Sequence, residues 1–114
     1  MQLGQALRAV VDQLTTAGLR ATADSRNLNL PAVLVASPSL DYRFKGGTWE
    51  GTWTAWALVP DTGPVQAADA LGDLVERTQA ALEGRISTAR AVDFLTEEGV
   101  TVPGYQLTFT TRIR

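Results

Sequence analysis

A chain of 114 residues and 12.2 kDa has the length of one domain, and we treat residues 1–114 as a single folding unit. Its 45% hydrophobic and 19% charged residues are typical of a globular protein and exclude a disordered or collagen-like chain. The formal net charge of −2 lacks the basic surplus with which compact nucleic-acid-binding proteins neutralise phosphates.

The sequence contains neither cysteine nor histidine. This excludes disulfides, thiolate nucleophiles, Cys/His zinc sites and imidazole acid–base chemistry. We therefore predict that the protein is not an enzyme and has no catalytic, metal or cofactor site. The N-terminus lacks the pattern of a signal peptide, and no apolar run approaches the ~20 residues that span a bilayer. We expect a soluble, cytoplasmic protein without membrane contact.

The first third of the sequence predicts one helix and two strands. Apolar residues recur every three or four positions over residues 2–17, as on one face of a helix, and Gly18 ends it. Alternation over residues 19–24 suits a short edge strand, and a turn or loop follows at residues 24–27. The apolar run at residues 32–36 predicts a strand that is covered on both faces.

A long hairpin follows. Residues 39–45 alternate between apolar and polar side chains, and the Gly-Gly pair at 46–47 favours a two-residue turn because both positions tolerate positive φ. The return strand is predicted over residues 48–59, with its odd-numbered residues on the core face. Trp56 and Leu58 break this pattern because they are apolar on the opposite face. Either a loop of the same chain or another subunit covers them.

The second half predicts a helix and two strands. Pro64 suits the first position of a helix over residues 64–83. Strands are predicted over residues 86–95 and from Pro103 onward, with a turn at residues 97–99. The predicted fold class is α+β, in the order α-β-β-β-α-β-β, with two helices packed on one face of a twisted, mainly antiparallel sheet.

Three tryptophans within eight residues suggest either a stacking platform or part of the core. Trp49 and Trp53 share the predicted core face, which favours the core. Trp56 lies on the opposite face, and because protein interfaces are enriched in Trp, Tyr and Arg it is the strongest candidate for a contact residue. Arg43 and Lys45 are expected beside it in the hairpin, either pairing with acidic groups of a partner or forming a solvated face.

The succession of these segments resembles a known family. The N-terminal helix, the strand PAVLVASPS (31–39), the strand end WALVP (56–60) and the helix AADALGDLVERTQAAL (67–82) look like those of tail terminator proteins of long-tailed bacteriophages, especially actinobacterial phages. The likeness runs along most of the chain and rests on structural rather than catalytic segments. Connector and tail-completion proteins of phage necks have a similar size.

The resemblance implies a ring, typically a hexamer, that caps the head-proximal end of the tail tube. Such a ring stops polymerisation of the major tail tube protein and offers a docking surface to head–tail connector proteins. DNA would pass through the lumen without specific binding. The protein would reside in the tail or neck of the virion, and in the host cytoplasm during assembly.

In the family the ring and tube contacts come from loops and the hairpin, which here correspond to residues 24–29 and 40–56. We place four residues at subunit or tube contacts: Arg43, Lys45, Glu50 and Trp56. The loop at residues 97–101 is expected to face the tube or the lumen. Two alternative functions stay open, another phage neck or head–tail connector component, and a monomeric small-molecule-binding or enzymatic domain that uses the tryptophan cluster as a pocket.

Overall fold

A computed structural model describes residues 1–43 and 46–113, without the side chain of Arg43. The helices in this part of the chain are α1 (Leu3–Thr16) and α2 (Pro64–Ala81), and the strands are β1 (Ala21–Thr22), β2 (Ala32–Val35), β3 (Ser39–Arg43), β4 (Thr48–Leu58), β5 (Ile86–Leu95) and β6 (Thr101–Ile113). A turn of 3-10 helix, Ser25–Asn27, lies between β1 and β2. The predicted helices and strands are confirmed to within two residues, except that positions 44 and 45 of the third strand lie outside the described residues.

All the strands form one sheet in the order β1-β2-β4-β6-β5, and β3 pairs with β4 beyond the end of β2. The pair β1–β2 is parallel, and the other pairs are antiparallel. The α+β class is confirmed. The short edge strand predicted over residues 19–24 is present as β1, although the predicted order α-β-β-β-α-β-β leaves it out. The apolar run of β2 is buried on both faces, as predicted.

The core lies between the two helices and one face of the sheet. It joins residues of both helices to those of the three central strands: Val10, Leu14, Leu71, Leu74, Val33, Val35, Trp53, Ala55, Ala57, Leu107 and Phe109. The odd-numbered residues of β4 therefore face the core, as the alternation predicted. Removal of this apolar surface from water is the main favourable contribution to folding.

The sheet face opposite the helices is called the outer face. Its centre carries cross-strand threonine pairs, Thr52 with Thr110 and Thr54 with Thr108, on β4 and β6. Thr52 and Thr54 are only half-buried, and Thr110 is exposed. No helix of the described chain covers this face, because the core contacts of both helices are on the other side.

The helix layer is narrower than the sheet. α1 packs mainly over β1 and β2, and α2 mainly over β4 and β6. Two helices, each about 10 Å wide, cover roughly four strands spaced about 4.8 Å apart. The fifth strand across the sheet, β5, is bonded to α2 only at its start, where the Gln79 side chain bonds to the backbone of Ile86, and its later helix-facing residues Ala89 and Ala91 are exposed.

The β3–β4 turn projects from one end of the sheet. Gly46 and Gly47 have φ of 106° and 62°, a backbone conformation that favours glycine, which confirms the predicted turn. The last pair between β4 and β6 is Trp49 with Ile113, so the turn extends beyond β6. This end of the sheet, where β3 and β6 also end, is called the hairpin end. The opposite end, where β5 connects to β6, is called the groove end after the groove described below.

Candidate assembly surfaces

The four predicted contact residues do not form one cluster. Glu50 and Trp56 are both on the outer face of β4, but six residues, or about 20 Å, separate them. Arg43 pairs in register with Thr48 at the hairpin end, about 26 Å along β4 from Trp56. The expectation that Arg43 lies beside Trp56 is therefore wrong, and Lys45 lies outside the described residues. Two separate surfaces result: Arg43 and Glu50 lie toward the hairpin end, and Trp56 lies further along the outer face.

The apolar residues on the outer face are covered by this chain itself. Leu58 is 0% exposed and Leu34, on the neighbouring strand, is 7% exposed, although no other subunit is present. Trp56 packs against Phe94 of β5, with ring centroids 5.8 Å apart and an interplanar angle of 54°. The cover of Leu58 is thus intrachain. Trp56 itself is half-buried, so part of its ring is accessible to a partner.

The loop at residues 24–29, which the resemblance places at contacts, is joined to the loop at residues 97–101, which is expected to face the tube or the lumen. Ser25 Oγ, after β1, donates a hydrogen bond of 2.7 Å to Glu97 Oε1, after β5. Because β1 and β5 are at opposite edges of the sheet, this bond shows that the β1–β2 connection crosses the sheet. Leu28 and Leu30 of that connection are half-buried. The two loops therefore form one continuous surface at the groove end.

Asp24 fixes the local conformation of this β1–β2 connection. Its carboxylate accepts hydrogen bonds from the backbone N and from Nε and Nη2 of Arg26, at 2.9–3.0 Å. These bonds and the positive charge of Arg26 lower the pKa of Asp24 below its usual 3.8. The same contacts raise the pKa of Arg26.

We expect the pKa of Asp24 to lie below 3.8 in the folded protein. The Arg26→Ala substitution is expected to raise the pKa of Asp24. Because the folded pKa is lowered, the interaction stabilises the fold above about pH 4 and is lost as the pH falls through the folded value. An NMR titration of the side-chain carboxyl carbon measures both midpoints. If the Asp24 midpoint is the same in the parent protein and in the variant, Arg26 is not the cause of the lowered pKa.

The three tryptophans do not line a common pocket. Trp53 is buried, stacks on Phe109 and donates from Nε1 to Thr111 Oγ1 at 2.8 Å. Trp49 packs on Tyr42 at the hairpin end, and Trp56 is on the other side of the sheet. The tryptophan pocket on which the small-molecule alternative rests is therefore absent from the described residues.

Sequence reasoning missed a groove on the helix-facing side of β5. It lies between β5, the start of β6 and the first half of α2, and has a volume of about 730 Å³. A signal was present in the sequence, because Ala89 and Ala91 occupy the helix-facing positions of a strand whose neighbour has large residues there. Small side chains at such positions leave space between a sheet and a helix.

No protein-family model matches the sequence, and no curated protein matches it. In the part of the chain that the structure describes, no cluster of acidic residues has the composition of a metal site. Neither described helix combines the length and the hydropathy that crossing a bilayer requires. The surfaces described above are therefore the features from which function is argued.

Proposed function

We propose that this protein is a structural subunit of the tail terminator type in a long-tailed bacteriophage. Copies assemble into a ring, expected to be a hexamer, on the head-proximal end of the tail tube. The ring stops addition of the major tail tube protein and presents a surface to head–tail connector proteins, while DNA passes through its lumen. The protein acts in the tail or neck of the virion after assembly in the host cytoplasm.

The observation that carries the proposal is the centre of the outer face, which neither α1 nor α2 covers. The centre of this face carries threonine pairs and a half-buried tryptophan with neither α-helix of the described chain against it, which leaves it accessible to a partner. The partly exposed Trp56 supplies the aromatic contact that interfaces favour. The resemblance to tail terminators in the order of segments supports the same function.

A second candidate is another neck or head–tail connector component. The same outer face favours it, since a connector also docks on flat ring surfaces. The two functions differ in the partner. A terminator binds the end of the tail tube and halts its growth, whereas a connector binds the portal side and leaves tube growth unchanged.

The test combines native mass with tube growth. Native mass spectrometry and negative-stain imaging across a concentration series are expected to show rings, free or on the tips of tail tubes. Added to polymerising tube protein, the protein is expected to shorten the tubes in proportion to its concentration. Tubes that grow to full length with unoccupied tips contradict the terminator function, and binding to a portal complex instead favours the connector.

Two outer-face variants locate the contact. Trp56→Asp is expected to abolish capping, because a carboxylate replaces the aromatic contact at the interface centre. Because Trp56 also packs on Phe94, Thr54→Lys is the second variant, which adds bulk and charge to the same face without removing a core contact. Ala70→Lys, on the exposed side of α2, is the matched control and caps normally. Capping by a folded Thr54→Lys protein contradicts the outer-face assignment.

A further inference from the structure

Strand β5 forms a long open edge of the sheet. It has ten residues and, within the described chain, pairs with β6 on one side only. It contains neither proline nor lysine, two residues with which natural sheets protect their edges. The strand at the other end of the sheet, β1, has only two residues. β5 is therefore the longer edge to which a further strand can be added.

The hydrogen-bond pattern shows which groups of this edge face outward. Thr96 N–H donates to the Val100 carbonyl oxygen at 2.8 Å, and from there the antiparallel pairs with β6 alternate between bonded and non-bonded. Pro103 agrees with this alternation, because it is opposite Asp93 and its carbonyl accepts from Val59 N–H of the other neighbouring segment. Every second residue of β5 thus turns its N–H and C=O away from β6: Ala89, Ala91, Asp93 and Leu95.

The start of the edge is closed by a side chain that imitates a strand. The Gln79 amide oxygen accepts from Ile86 N–H at 2.8 Å, and the Gln79 amide nitrogen donates to the Ile86 carbonyl at 3.1 Å. These are the two bonds that a neighbouring strand would make. After the register shift that follows Ile86, no group of the described chain bonds to the four outward residues in this way.

A trough runs beside this edge, between β5 and α2. It consists of the groove of about 730 Å³ and a second hollow of about 360 Å³ nearer the start of β5. Ala89 and Ala91 pair with Leu107 and Tyr105, which pack in or against the core, so both alanines are on the helix side of the sheet. Both are nevertheless exposed. Side chains this small leave room for large apolar side chains of an added strand.

The trough is acidic. Asp61 and Asp93 line the groove, Glu76 lines the second hollow, and all three residues are exposed. No lysine or arginine lines either cavity, and within the described residues none of the three carboxylates has an ion pair. Uncompensated charge of one sign favours a partner of the opposite sign.

We propose that β5 is a strand-addition site for an extended, basic segment of a partner protein. The segment hydrogen-bonds to the outward backbone groups of β5, as in other cases of strand addition to a sheet edge. Every second side chain of the segment points into the trough, with large apolar side chains over Ala89 and Ala91 and a lysine or arginine beside Asp93. The site goes beyond the proposed function, because it requires neither a ring nor a tail tube.

Peptide binding tests the chemistry of the partner. The probe is the fluorescently labelled peptide KTLTLTK, whose lysines and leucines share one face of a strand and whose palindromic sequence fits β5 in either direction. Fluorescence anisotropy is expected to show binding. The matched control ETLTLTE keeps the leucines and is expected to bind at least about tenfold more weakly, because its glutamates meet carboxylates. Equal binding of the two peptides, or binding of neither, overturns the proposal.

Charge reversal separates the trough from the overall charge of the protein. Asp93→Lys is expected to weaken binding of KTLTLTK by about tenfold. Asp73→Lys makes the same change of net charge on the exposed side of α2, outside both cavities, and is expected to bind like the parent protein. An equal loss in the two variants shows that only net charge attracts the peptide, and contradicts the site.

Hydrogen exchange tests the added strand in the parent protein. The amides of Ala91 and Asp93 face outward and are expected to exchange rapidly in the free protein, whereas those of Arg90 and Val92 bond to β6 and exchange slowly. Bound KTLTLTK is expected to slow exchange at the outward amides by at least about tenfold and to leave the other two unchanged. A bound peptide that leaves the outward amides in rapid exchange overturns strand addition.

A second copy of the chain as the occupant gives a different result. Protection of the outward amides that rises with protein concentration in the absence of peptide shows that the edges of two copies pair, and overturns the inference. The proposed function is tested separately. Protein that caps tail tubes but does not bind KTLTLTK contradicts the inference alone, and protein that binds the peptide but never caps contradicts the terminator function alone.

Discussion

The Phe109→Ala variant is expected to lose about 3–5 kcal/mol of unfolding free energy. Phe109 is fully buried between the helices and the sheet, and its ring stacks on Trp53 with an interplanar angle of 4°. Truncation removes this contact and leaves a cavity that the surrounding strands cannot fill. Urea unfolding followed by far-ultraviolet circular dichroism measures the change.

The neighbouring residue provides the control. Thr110 is exposed on the outer face, so Thr110→Ala is expected to change the unfolding free energy by no more than about 0.5 kcal/mol. The contrast between adjacent positions follows from strand alternation alone. If Phe109→Ala and Thr110→Ala cost similar amounts, the assignment of helices to the Phe109 side of the sheet is wrong.

A second large effect is expected at Gly104, where β6 passes close to β4. A Cβ atom added there would lie 2.6 Å from Leu58 Cδ2 and 2.9 Å from the Ala57 carbonyl oxygen. Leu58 is fully buried, and the carbonyl belongs to the backbone, so neither can move away easily. Gly104→Ala is therefore expected to lower the unfolding free energy by about 1–3 kcal/mol, measured as a drop in Tm.

The same substitution in α2 has the opposite sign. Gly72 is inside the helix, and an added Cβ would meet no atom within 4 Å. Alanine is favoured over glycine in a helix by about 0.5–1 kcal/mol, so Gly72→Ala raises Tm. A Gly104→Ala protein as stable as the parent would show that β4 and β6 are not so close at this point.

Local patterns were enough to predict the elements. The apolar stripes of α1 and α2, the alternation of β4 and the glycines of the β3–β4 turn each act over a few residues, so the sequence expresses them directly. The helix-facing side of the sheet followed from the odd-numbered residues of β4 in the same way. These features account for the correct fold class.

Pairing and cover could not be predicted in this way, because they depend on contacts between distant residues. Trp56 is partly covered by Phe94, which is 38 positions later and carries no pattern that identifies Trp56 as its partner. The distance between Arg43 and Trp56 depends on the length and register of β4. The groove depends on how β5 is placed relative to α2, which is a property of the whole sheet.

The central position of β6 has a consequence for how the chain folds. β6 follows the other described strands in sequence, yet it lies between β4 and β5 and forms the longest pairing with β4. During synthesis β4 is made about fifty residues before β6, so the edge of β4 that pairs with β6 stays unpaired until β6 has been made. Long-range closure of this kind slows folding and exposes unpaired edges to association. The step that completes the sheet is thus the step at which premature contact between copies competes with folding.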